Sequence, residues 1–79
     1  MNTIKILTSN EIIAMRYFLI KETDKILTRV KELSEKFETL DKGDMKAQLD
    51  IVVESLYLNG KLEGIRLVME ELERIAKNT

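Results

Sequence analysis

A chain of 79 residues is long enough for one domain and too short for two. It holds no cysteine and no histidine, which removes disulfides, thiolate metal sites, the commonest general base and the commonest metal ligand. Formal charge is −1, from 13 Lys and Arg against 14 Asp and Glu, so no general electrostatic pull toward nucleic acid is expected.

Charged residues make up 34% of the chain and hydrophobic ones 44%, with no proline. That mixture, rich in Leu, Ile, Glu and Lys, reads as long amphipathic helices rather than disorder. We expect one helical domain over 1–79 with no cofactor and no metal. So short a chain buries a modest share of its surface, and with disulfides and metals absent the remaining staple is oligomerisation. The apolar run in "MNTIKILTSNE" is too short for a signal peptide, and no run approaches the roughly 20 residues that span a bilayer. The expectation is a cytoplasmic protein without a membrane partner.

In chain order, Thr3–Leu7, "TIKIL", alternates weakly and is β-branched, which suggests a short strand or extended arm over 3–7. Then "LTSNEI" starts a helix. Thr8 as N-cap puts Glu11 at the third helical position, a capping box, and Leu7 and Ile12 occupy the two positions of a hydrophobic staple. Apolar residues recur at Ile12, Met15, Leu19, Ile26, Val30, Leu33, Phe37 and Leu40, a coiled-coil-like seam from Ile26 onward. "LDKGD" ends the helix, with Gly43 predicted in the left-handed C′ position and Asp44 capping the second helix. The first helix is therefore placed at about 9–41.

The second helix is placed at about 45–77. Leu49, Val52 and Leu56 form its first stripe, and Leu58, Leu62, Ile65, Met69, Leu72 and Ala76 its second, with a stutter between Leu56 and Leu58. Asn59-Gly60 is a turn signal within this pattern. Length favours an unbroken helix: both arms then hold about 33 residues and run about 50 Å. Equal arms joined by a short loop describe an antiparallel hairpin. Gly60 and Gly64 share one face, and each costs about 1 kcal/mol relative to alanine in a helix interior. The expectation is that they admit bulky side chains across the hairpin, such as Ile26; a hinge and a groove for a partner are the other readings. Wide apolar faces at Ile12-Ile13, Tyr17 to Ile20 and Ile51 to Leu58 want a further layer, which a second copy supplies as a four-helix bundle.

Arg16 falls on the first seam where an apolar residue is expected. Folding about Gly43 sets residue i beside roughly 86 − i, which predicts a partly buried, register-setting ion pair between Arg16 and Glu70. Thr23 and Glu63 meet by the same rule as a polar layer. Between Arg16 and Lys31 stand five basic and two acidic residues, and Lys21, Lys25 and Arg29 form a stripe that Lys61 approaches.

No nucleophile-and-base set, phosphate-cradling glycine loop or histidine-completed carboxylate cluster is present, so an enzyme is not expected. The leading reading is a non-enzymatic protein–protein interaction module acting as a homodimeric bundle: a regulator, inhibitor or assembly adaptor. Its size suggests a phage or other mobile element. Tyr17, Phe18 and Tyr57 are candidate anchors for an unidentified protein partner or for the dimer, because aromatics dominate interface energetics. The alternative is a nucleic-acid-binding regulator. "NTIKILTSNEI" resembles the strand and capped helix of ribbon-helix-helix repressors, which implies base reading by Lys5; the Lys21/Lys25/Arg29 stripe with Lys61 would hold phosphates.

Overall fold

The computed structural model describes residues 8–77, so the expected strand or arm over 3–7, with Lys5, lies outside the described residues. Two helices, α1 (Ser9–Thr39) and α2 (Met45–Lys77), pack against each other as an antiparallel hairpin. Among the described residues there is no strand, and no helix is long and apolar enough to cross a membrane.

The start of α1 follows from its cap. The Thr8 hydroxyl accepts from the Glu11 N–H at 3.1 Å, and the Thr8 N–H donates to the Glu11 carboxylate at 2.8 Å. Two orphan donors of the helix end are thereby satisfied.

The turn differs from the expectation. α1 stops at Thr39 rather than Asp41, because Leu40 is extended at φ −72° and ψ 146°. Gly43 does not adopt a positive φ. Asp41 makes the bend instead: its carboxylate accepts the Gly43 N–H at 3.1 Å, and its carbonyl accepts the Asp44 N–H at 3.0 Å. A side chain that holds the turn in ordinary backbone space leaves no need for a left-handed glycine. Asp44 caps α2 as expected, accepting the Ala47 N–H at 3.1 Å. The Gln48 side-chain amide donates back to the Asp41 and Lys42 carbonyls, tying loop to helix.

The hairpin seam repeats every seventh residue on both helices. Ile12, Leu19, Ile26, Leu33 and Leu40 carry it on α1, and Ile51, Leu58, Ile65 and Leu72 on α2, all buried or half-buried. Ile26, Leu33, Ile51 and Leu58 form one cluster, flanked by Val30, Leu40, Leu62 and Ile65. Leu33, 2% exposed, is its most enclosed member. A strict seven-residue repeat on helices of 3.6 residues per turn keeps a seam closed by left-handed winding.

The expected stutter in α2 is absent. Its seam is continuous from Ile51 to Leu72, and Leu49, Val52 and Leu56 are exposed. The first half of α2 carries two adjacent apolar stripes, and the one in phase with Ile65 and Leu72 faces α1. α2 itself is unbroken through Asn59-Gly60.

One ion pair crosses the hairpin among the described residues. Arg29 donates from Nε and Nη2 to the two Glu54 carboxylate oxygens at 2.7 and 3.0 Å, and from Nη1 to Glu32 at 3.3 Å. The expected register would have set Arg29 beside Tyr57, about one turn farther from the loop. Hydrogen bonds from Arg29 are the first cause that holds the Glu54 carboxyl below its ordinary 4.5, and Glu54 in turn raises Arg29. A carboxyl that is more acidic folded than unfolded adds stability above its unfolded pKa and loses it as pH falls. Melting followed by circular dichroism should therefore show the hairpin weakening as pH drops below about 4.5, with a smaller drop in Glu54→Gln.

Candidate interaction surface

The helices form one layer: the chain measures 57 × 24 × 14 Å, and its least dimension is close to the width of a single helix. Residues that flank the seam therefore lie on one or the other broad face of that layer. On one face Val30 and Phe37 of α1 meet Val52 and Leu56 of α2 in an open apolar depression, which continues past Phe37 to Met45 and Leu49. On the opposite flank, where Arg29 bridges to Glu54, the seven-residue repeat leads to Met15 and Val68. There a second depression is lined by Ala14, Met15, Phe18, Leu19, Val68 and Leu72, at the open end of the hairpin.

The candidate aromatic anchors separate. Tyr17 lies with Ile13, Arg16 and Ile20 in a shallow hollow on the first face. Phe18 belongs to the second depression. Tyr57 stands on the outer side of α2, with Val53 and Leu67 at helical spacing along the same stripe, all three exposed. Gly60 and Gly64 lie on that stripe too, between Tyr57 and Leu67. A Cβ built on either glycine meets nothing within 4 Å. The expected packing of Ile26 over the glycines is thus absent, because Ile26 is buried in the seam on the other side of α2. α2 runs unbroken through both glycines.

The expected Arg16–Glu70 pair is not formed. Both residues are exposed, and Glu70 is held by Arg66, which also holds Glu63. Arg66 is four residues from Glu70 on the same helix, so it reaches that carboxylate without crossing the hairpin. The Thr23–Glu63 layer is absent as well: the Thr23 hydroxyl donates to the Leu19 carbonyl at 2.8 Å. Arg66 is the first cause of a lowered Glu63 carboxyl, and Glu63 the first cause of a raised Arg66. Among the described residues Arg16 and Glu73 have no ion-pair partner.

The basic stripe is internally occupied. The Lys21 ammonium lies over the Tyr17 ring at 5.0 Å and that of Lys61 over the Tyr57 ring at 5.6 Å. Lys25 pairs with Glu22 at 3.3 Å, and Arg29 is shared between Glu54 and Glu32. Among the described residues no three carboxylates gather as a cation site, and no charged or polar side chain is buried.

Periodicity alone assigns Leu49, Val52 and Leu56 to the seam and overlooks Met15 and Val68 as a surface pair. Counting sevens from Ile51 rather than from Leu49 finds both depressions. The open space beside the glycines carries its own expectation. Gly60→Ala and Gly64→Ala should each stabilise the isolated hairpin by up to about 1 kcal/mol, read from thermal melts. A loss at either site would mean that another backbone covers it.

Comparison with protein-family models, with curated proteins and with solved structures finds no match.

Proposed function

We propose that this chain is a non-enzymatic protein–protein interaction module, a small regulator, inhibitor or assembly adaptor, that acts as a homodimeric helical bundle. One observation carries the reading. Among the described residues six large apolar side chains are buried, whereas fifteen remain exposed. Part of this exposed surface gathers into apolar depressions on either side of the seam, and contiguous exposed apolar patches mark interaction sites.

Two further observations support it. A single layer of two helices buries one stripe per helix, whereas stable domains close a core between packed layers. The pKa shifts trace to exposed ion pairs rather than to a cleft that tunes an acid or base. A nucleic-acid interface draws less support, since Lys21, Lys25, Arg29 and Lys61 each have a local partner.

Light scattering after gel filtration should give about 18 kDa at micromolar concentration, twice the 9.2 kDa chain. A clean monomer with a cooperative melt overturns the reading. Affinity capture from the source cells should retain a protein partner after nuclease treatment. Capture that disappears with the nucleic acid also overturns it.

A further inference from the structure

We propose that the second copy seats on the face carrying Phe37, Val52 and Leu56, with the two loops at the same end, so that Arg16 of each chain meets the acidic end of the other chain's α2. The inference rests on the dimeric reading above and adds to it a face, an orientation and a charge contact.

Area is the first argument. The chain exposes 6473 Å², whereas a compact monomer of this mass exposes about 4,900 Å². The surplus, about 1,500 Å², is of the order that one subunit surrenders in an obligate homodimer, about 1,000–2,500 Å². A partner covering one broad face of the layer would remove an area of this size.

The choice of face follows from the seven-residue repeat. Ile20 and Leu27 continue the apolar surface along α1 on the side of Val30 and Phe37, and both are exposed. On the opposite flank the middle of α1 presents Glu22, Lys25, Arg29 and Glu32, already joined in ion pairs. A layer that must lose apolar surface presents the first flank to its partner.

Charge sets the orientation. On that same face Arg16 repeats the position of Val30 and Phe37, at the open end of the hairpin. Glu63 and Glu70 repeat the position of Leu56, and Arg66 and Glu73 that of Val52. The face is therefore apolar near the loop, whereas at the open end α2 is charged and α1 sets Arg16 among Ile13, Tyr17 and Ile20. There Glu63 and Glu70 on α2 share one guanidinium, Arg66, while Glu73 on α2 and Arg16 on α1 have no ion-pair partner among the described residues. With loops at opposite ends, a two-fold axis stacks α2 on α2 and sets Met45, Leu49, Val52 and Leu56 on the partner's charged end, stranding charge against apolar surface. With loops together α1 stacks on the other chain's α2. Phe37 and Val30 then cover the stretch from Met45 to Leu56. Arg16, level with about Leu67 in the register that the Arg29–Glu54 bridge sets, comes nearest Glu70 and Arg66, with Glu63 and Glu73 about one turn to either side. The charges complement each other between chains although they do not pair within one.

Charge exchange between chains is the test. Arg16→Glu alone and Glu70→Arg/Glu73→Arg alone should each weaken the dimer about tenfold or more, by analytical ultracentrifugation. Circular dichroism on each variant confirms that the helices persist. An equal mixture of the two variants should form heterodimers in preference to either homodimer, because both cross-chain contacts are then of opposite sign. A contact within one chain predicts no such preference. In parallel, Lys42→Cys, the sole cysteine of its chain, should cross-link through a short bismaleimide into a covalent dimer. Opposed loops would stand about 50 Å apart and would not react. A dimer without loop cross-linking, or without preference in the mixture, overturns this arrangement and leaves the dimeric reading standing. A monomer at micromolar concentration overturns both.

Discussion

The structure depends on one line of side chains per helix. Ile12, Leu19, Ile26, Leu33 and Leu40 close against Ile51, Leu58, Ile65 and Leu72, and every other feature takes its place from that contact. A seven-residue repeat holds the line in register over the length of both helices, because their winding about each other absorbs the mismatch with 3.6 residues per turn. The same geometry limits what the hairpin can bury. Side chains two or three positions around the helix from the seam reach neither the partner helix nor the shelter of a second layer. Ile13, Phe18, Leu49 and Leu56 are exposed for that reason.

Charges stabilise helices here more than they join them. Lys25 with Glu22, Lys46 with Asp50, Arg66 with Glu63 and Glu70, and Arg74 with Glu71 all pair within one helix at three- or four-residue spacing. Such exposed pairs each contribute little, because water screens them and holding two long side chains together costs entropy. The Arg29–Glu54 bridge is the exception, since it spans the helices with two hydrogen bonds on one guanidinium. It lies beside Ile26 and Leu58 in the seam, so apolar packing and a directed ion pair agree on one register there. The loop adds a third constraint, because Asp41, Asp44 and Gln48 satisfy backbone groups of both helix ends within a few residues.

Much of the fold was legible because its signals are local. Thr8 and Glu11 announce a helix start through groups three residues apart, and Asp44 caps α2 the same way. Equal arm lengths argued for an unbroken second helix, and α2 runs through Asn59-Gly60 as that argument required. The turn was placed correctly but ascribed to the wrong residue. Glycine is the familiar way to end a helix, and the Asp41 side chain performs the bend without a left-handed residue. The site was less legible: Tyr17, Phe18 and Tyr57 were recognisable as exposed aromatics, but nothing local shows that they stand on three different surfaces.

What the sequence determined by itself is the existence, ends and amphipathic character of two long helices, since caps and periodicity act within a few residues of the chain. What only the tertiary structure decided is phase. The first half of α2 offers two apolar stripes, Leu49–Val52–Leu56 and Ile51–Leu58, and either would satisfy a helix taken alone. Docking onto α1 selects the stripe continuous with Ile65 and Leu72, because only that one keeps contact along the whole seam. The same selection turns Gly60 and Gly64 outward into open space and leaves Glu70 to Arg66 on its own helix. Arg16 stays unpaired on the first broad face, because which side chains share a face is a property of two packed helices and not of either one.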